Sequence, residues 1–202
     1  LARASRALLT GDVAQLPPVY TLDDRVDERL ARGLSPEAVA PFRMGTSSVT
    51  SAQRHGEARA ASHRALVEHF RSQPEIVALA SAWSGYALDV QTPQRSLTAV
   101  CPWLARPVMV VPVRGVGERT AVGVVNEAEA RKAVTLVDAL VADGVSPDDI
   151  AVLTPFVGQS AHIERALHTR GLTGARGVLV RTVHRLQGGE RRVVIFSLTA
   201  TE

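Results

Sequence analysis

Four short stretches of the sequence concentrate side chains able to recognise charged or hydroxylated groups. Gly11-Asp12-Val13-Ala14-Gln15-Leu16-Pro17-Pro18 offers a carboxylate and a carboxamide among turn-forming residues. His69-Phe70-Arg71-Ser72-Gln73-Pro74 sets one arginine just ahead of a helix start, and a guanidinium fork matches carboxylate and phosphate geometry. Ile150-Ala151-Val152-Leu153-Thr154-Pro155-Phe156-Val157-Gly158-Gln159 delivers a hydroxyl and an amide directly after a buried type of strand. Thr182-Val183-His184-Arg185-Leu186-Gln187-Gly188-Gly189-Glu190 pairs glycines, which let backbone N–H groups approach a ligand, with donors and acceptors from Thr182, His184, Gln187 and Glu190. Taken singly, each has a plain structural alternative: a turn for the first, a surface ion pair for Arg71.

Other chemistries are absent from the sequence. There is no His-Glu-x-x-His helix, no Gly-x-Ser-x-Gly elbow and no paired-cysteine motif. Lys132 is the only lysine and sits in Glu-Ala-Arg-Lys, so no Gly-Lys-Ser/Thr phosphate loop is encoded. A nuclease motif of the Asp/Glu-x-Lys kind is excluded too, because Ala130 stands two positions before Lys132. Gly115-Val116-Gly117 reads as a turn, since Thr120 replaces the last glycine of a dinucleotide loop.

The elements that must position these residues follow from periodicity and turn chemistry. Ala7–Leu9 reads as a strand end running into Thr10-Gly11-Asp12. Residues 23–62 are polar and weakly periodic, a connection with one or two modest helices. Residues 65–70 look helical, and Ser72 with Glu75 forms a capping box ahead of Ile76, Val77, Leu79 and Ala80. Val108–Val113 and Ala121–Val125 are rich in strand formers. Asn126 caps a helix with Glu129 at the reciprocal position, and Ala130, Val134, Val137 and Val141 form its apolar stripe up to Gly144. Ile150–Leu153, Val178–Val183 and Val193–Leu198 read as strands, with a helix over Ser160–His168. Strands alternating with helices argue for an α/β parallel sheet with right-handed crossovers. Ligands on such sheets gather beyond the carboxyl ends of the strands, which brings Thr154, His184 and Gln187 to the working edge.

Composition agrees with a globular domain. Of 202 residues, 46% are hydrophobic and 21% charged, while aromatics at 4% leave the core to aliphatic packing. No apolar run is long enough to span a bilayer, so no membrane partner is expected. One cysteine, Cys101, supports neither an internal disulfide nor a cysteine zinc site, which suits a reducing cytoplasm. The net charge of +3 is a weak signal, but residues 170–192 hold Arg170, Arg176, Arg181, Arg185, Arg191 and Arg192 against the single acid Glu190. A phosphate-reading surface and a solvated face are both open readings of that run.

In this order the segments resemble superfamily 1 helicases, specifically the up-frameshift-like and DNA2-like branch. Gly11–Pro18 is similar to motif III, Phe70-Arg71 with Pro74 to motif IV, and Thr182–Glu190 to motif V. Asn126–Ala130 resembles that family's Asn-x-x-Glu-Ala helix start, and Thr154–Gln159 its Thr-Pro-Tyr-x-x-Gln. Phe70 and Phe156 stand where tyrosine is common, Leu186 replaces a phenylalanine, and Arg192 sits where aspartate is frequent. The resemblance implies a RecA-like parallel sheet with helices on both faces. Residues 1–20 would close a first such domain, 21–62 connect, and 63–202 form a second, cut before motif VI. It implies ATP and Mg²⁺ as cofactors, with metal ligands outside this chain and none within it. Single-stranded DNA or RNA, and the missing first RecA-like domain, are the implied partners. Gln15 would sense the γ-phosphate and Arg71 act as an arginine finger. Gln187, Gly188 and Glu190 would border the nucleotide, and Thr154, Thr182, His184 and Arg185 would hold the strand. Arg71 and Glu190 should then lie at one edge. A helicase-like chain that lost catalysis and gates an interaction by nucleotide is the alternative.

Overall fold

The computed structural model describes residues 8, 10–12, 15, 23–40, 43, 64–93, 101–186 and 188–199. The strand expected at Ala7–Leu9 falls outside these residues, apart from Leu8, and so does Gln187. Contacts divide the chain into two compact units, one of residues 1–70 with 80–91, the other of residues 71–79 with 92–202.

In the first unit the described residues of the polar connection include two short helices, α1 (Asp24–Ala31) and α2 (Pro36–Val39), as its weak periodicity suggests. Asp23 and Ser35 cap them through side-chain bonds to Arg25 and Ala38 N–H. The helix expected over residues 65–70 is not formed. Instead β1 (Glu68–His69) pairs in parallel with β2 (Asp89–Val90). Leu66 is 90% exposed and Val67 46%, so burial gives a helix there no support and strand pairing wins. Between these strands runs α3 (Pro74–Ser84), in which the division of the two units falls. Its first residue is Pro74, and the Gln73 carbonyl accepts from Val77 N–H at 3.0 Å. Proline suits that position, where no N–H is needed, so the helix opens one residue later than a Ser72 cap would have it.

The second unit holds the parallel sheet. Residues 108–113 form no ladder, because Pro107 and Pro112 withhold ladder donors. The pairing moves on to an antiparallel hairpin, β3 (Glu118–Thr120) and β4 (Gly123–Val125). After it come α4 (Glu127–Ala142), a 3₁₀ turn at Pro147–Asp149, β5 (Ile150–Thr154), α5 (Val157–His168), β6 (Leu179–Thr182), a helical turn α6 (Val183–Leu186) and β7 (Val193–Phe196). Strand β5 is central, with β6 and β7 parallel on either side. This parallel sheet flanked by helices is an α/β RecA-like fold.

The core is aliphatic. Ala130, Ala133, Val134, Val137 and Leu140 of α4 and Ile163 and Leu167 of α5 pack on Ile150, Val152 and Val180 of the sheet. On β7 the alternation is visible: Val193 and Ile195 pack inward, while Val194 and Phe196 stay about half exposed. Helix α5 starts three residues before Ser160, with Val157 and Gly158 in its first turn. Both form helices poorly, and Gly158 is there for space: a Cβ would lie 3.1 Å from the Val122 carbonyl oxygen in the hairpin turn.

Candidate functional site at the carboxyl edge

The register sets the edge. Thr154, last residue of β5, is the direct partner of Thr182, last residue of β6, and Leu153 is the partner of Phe196 on β7. Strand β6 stops at Thr182 because Pro155 cannot continue the ladder on β5. Residues 183–186 therefore turn helically, and Thr182 and His184 do not share one face of a strand as simple alternation would have it. Strand β7 ends at Phe196, two residues earlier than its apolar run suggests, with one more ladder bond from Ser197 N–H to the Leu153 carbonyl at 2.8 Å.

Below this edge lies a buried polar knot. Asn126 caps α4 as its type and place require, its Oδ1 accepting from Glu129 N–H at 3.1 Å. The reciprocal half of the capping box is not closed by Glu129. Gln159 takes that place: its Oε1 accepts from Asn126 N–H at 2.9 Å, and its Nε2 donates to the Asn126 carbonyl and to Ser197 Oγ, both at 3.1 Å. The Glu129 carboxylate turns instead to the end of β7. Its Oε2 accepts from Ser197 Oγ at 2.7 Å and from Thr199 N–H at 2.8 Å. Thr199 Oγ1 lies 3.1 Å from Thr154 Oγ1. Asn126, Thr154, Gln159, Ser197 and Thr199 are all buried, so the bonds among these five are made away from water, while those to the half-buried Glu129 lie at the margin. Gly115 closes the knot from outside, where a Cβ would meet Asn126 Oδ1 at 2.7 Å.

Above the knot the polar groups are exposed. Thr182 is half-buried, and His184 and Arg185 are exposed on the α6 turn. Among the described residues the side chains of these three make no hydrogen bond or ion pair. Arg181, by contrast, is engaged with the Val180 carbonyl at 2.7 Å and Glu164 at 3.5 Å. Thr154, expected at the strand-binding surface, has no exposed surface as the molecule stands, and its hydroxyl is occupied by Thr199.

Beyond α6, Gly188 adopts φ 83 with open space around it, and Glu190 follows. The Arg71 guanidinium reaches Glu190: Nε to Oε1 is 2.5 Å. Both side chains are more than half exposed. The two residues expected at one edge are thus in contact. Arg192, standing where aspartate is frequent in the resembling family, faces Asp149 at 4.0 Å. Gln15 belongs to the other unit, where its Nε2 donates to Asp12 Oδ2 at 3.1 Å and the Tyr86 hydroxyl donates to Asp12 Oδ1 at 2.6 Å.

Ser197 and Thr199 were not legible as functional positions. Nothing in Ser-Leu-Thr at a strand end signals a clamp, and threonine is an unusual choice for the backbone that Thr199 adopts. Gln159 was legible by spacing alone, five residues after Thr154, without its partners.

Comparison with known proteins identifies the class. Residues 47–202 match the AAA_12 family, described as an AAA domain, and the chain belongs to that family, a helicase-type nucleotide-binding domain. Two curated relatives are the proteins named 3'-5' exoribonuclease HELZ2. The mouse protein is 43% identical over 77 residues, 38% of this chain, and the human one 42% identical over 57 residues, 28% of this chain. The matched stretch is about 2% of the length of either relative. Among the described residues no helix is long and apolar enough to cross a membrane.

Proposed function

We propose that the chain is the second RecA-like domain of an ATP-dependent DNA or RNA helicase of superfamily 1, in the up-frameshift-like and DNA2-like branch. Residues 1–20 belong to the end of a first RecA-like domain, 21–62 connect, and 63–202 form the second. The observation that carries this reading is the contact between Arg71 and Glu190. Two residues far apart in sequence, each from a stretch resembling a nucleotide-site motif, meet at 2.5 Å on one surface.

The donor set there fits part of a nucleotide. Arg71 presents a guanidinium suited to phosphate charge, Glu190 a carboxylate suited to ribose hydroxyls, and Gly188 a backbone that a ligand can approach. By the motifs in which they stand, Gln187 is assigned to the nucleotide and Gln15 to sensing the γ-phosphate. When bound, ATP supplies the phosphoryl group, with Mg²⁺ held by residues outside this chain. Arg71 steadies the charge that develops during transfer, and Glu190 releases Arg71 for that purpose. Thr182, His184 and Arg185 hold a single-strand backbone, and Thr154 acts beneath them. Contacts of this kind position a strand without reading its sequence. The relatives above are named for acting on RNA, so RNA is the first strand to test. A reducing, cytoplasmic setting suits the buried thiol of Cys101.

The test is strand-stimulated ATP hydrolysis by the longer protein that carries the phosphate loop. Arg71→Ala should lower turnover by at least about 10³-fold, and Arg71→Lys should rescue poorly because an ammonium lacks the fork. Turnover within a few-fold of wild type in Arg71→Ala would reduce Arg71 to a surface ion pair and sink the assignment.

A further inference from the structure

Thr199 is held at φ 57, the one non-glycine residue with positive φ among the described residues. A β-branched side chain is crowded in this left-handed region, and such conformations persist only where surroundings over-determine them. Here they do. Glu129 Oε2 fixes Thr199 N–H at 2.8 Å and Ser197 Oγ at 2.7 Å, and Gln159 holds Ser197 from the other side at 3.1 Å. If only a compact fold were needed, glycine or asparagine would fill this backbone with less strain. What threonine adds is a hydroxyl, and that hydroxyl meets Thr154 Oγ1 at 3.1 Å in a site where Thr199 is 3% exposed. Thr154 Oγ1 in turn accepts from Phe156 N–H at 3.4 Å, and Thr154 is the register partner of Thr182.

We propose that Thr199 is a positioning residue for the strand-binding edge. Glu129 imposes a strained backbone on it so that its hydroxyl pins Thr154, and with it the loop to Phe156, beside Thr182. This rests on the reading of Thr182, His184 and Arg185 as a strand-binding edge. Thr199 itself touches no strand.

The experiment measures two things on the 202-residue chain: thermal unfolding, and binding of a fluorescent single-stranded RNA by anisotropy. Variants are Thr199→Gly, Thr199→Asn and Thr199→Val, with Arg185→Ala as a control on the edge. Thr199→Gly relieves the strain, which offsets the loss of the buried hydroxyl contact, so it should unfold at about the wild-type temperature yet bind up to roughly fivefold more weakly, the most that losing one positioning hydrogen bond can cost the edge. Thr199→Asn tolerates the left-handed backbone and keeps a polar group, so it should retain most of the affinity. Thr199→Val keeps the crowding without the hydroxyl and should lose both stability and affinity. A glycine variant that binds like wild type, while Arg185→Ala binds less, overturns the positioning role and leaves the strand edge standing. A glycine variant that unfolds as early as the valine one, or fails to fold, overturns the strain argument. If the folded wild type binds no strand, the edge itself is wrong, and this proposal falls with it.

Discussion

The side chains of Arg185, His184 and Thr182 stand at the carboxyl edge without partners among the described residues, whereas Arg71, Arg170, Arg181 and Arg192 are each paired with an acid. A phosphate contact by an unpaired guanidinium releases counterion, so it leaves a mark in the salt dependence of binding. For the 202-residue chain and a single strand, Arg185→Ala should flatten the slope of log affinity against log salt by roughly 0.7. Thr182→Val removes a hydrogen bond and no charge, so affinity should drop at every salt concentration with the slope kept. An unchanged slope in Arg185→Ala takes that residue out of the strand path. A different residue tests the core. Cys101 is fully buried, and burial first, then the nearby Asp143 carboxylate, pushes its thiol pKa up. A raised pKa in the folded state means that the thiol's stabilising share is whole below the unfolded value of about 8.5 and shrinks as pH rises above it. The stability advantage of wild type over Cys101→Ala should therefore narrow between neutral and alkaline pH in urea titrations. An advantage that grows with pH contradicts the burial argument.

At the scale of elements, local patterning was a good guide where the element answers to its own sequence and a poor one where a neighbour decides. Helix α4 shows its cap, its stripe and its glycine stop in the sequence, and all three are present: Asn126 caps, Ala130 and Val137 are buried, and Gly144 takes φ 91. The strand pair of β1 and β2 depends on a partner about twenty residues away, so a helical reading of residues 65–70 had nothing local against it. The early stops of β6 and β7 depend on Pro155 and on Thr199, both outside those strands. The Asn126–Glu129 box was half legible: the cap follows from residue type, but the diversion of Glu129 to β7 depends on Gln159 arriving from α5. Gln159 is the keystone, with three bonds and no exposed surface. Gln159→Leu should take the Gln159 acceptor from the buried Asn126 N–H and one bond each from the Asn126 carbonyl and Ser197 Oγ, costing roughly 2–4 kcal/mol in urea unfolding, since a buried donor that loses its acceptor costs about 1–3 kcal/mol and the two weakened groups about 1 more. Asn126→Ala should cost about 1 kcal/mol for the cap alone. A Gln159→Leu variant no weaker than Asn126→Ala would show that the knot is not cooperative.

For the molecule as a whole, what the sequence carried best was order: weak segments in a fixed succession point to a helicase where no one of them does, and residues 47–202 belong to the AAA_12 family. What it carried least was the relation among residues brought together by the sheet, because register and crossover decide which side chains meet. Glu129, Gln159, Ser197 and Thr199 are the case in point, joined only where α4, α5 and the end of β7 meet. The central proposal is that this chain supplies one wall of a nucleotide site and that the phosphate grip comes from elsewhere. The sequence holds no Gly-Lys-Ser/Thr loop to cradle β- and γ-phosphates. The most direct measurement is ATP turnover in the presence of single-stranded RNA, made on the 202-residue chain alone and on the same chain joined to a phosphate-loop domain of its own protein. No turnover by the chain alone, with strand-stimulated hydrolysis once the two are joined, is the expected result. Strand-stimulated turnover by the chain alone, or none after joining, would contradict it.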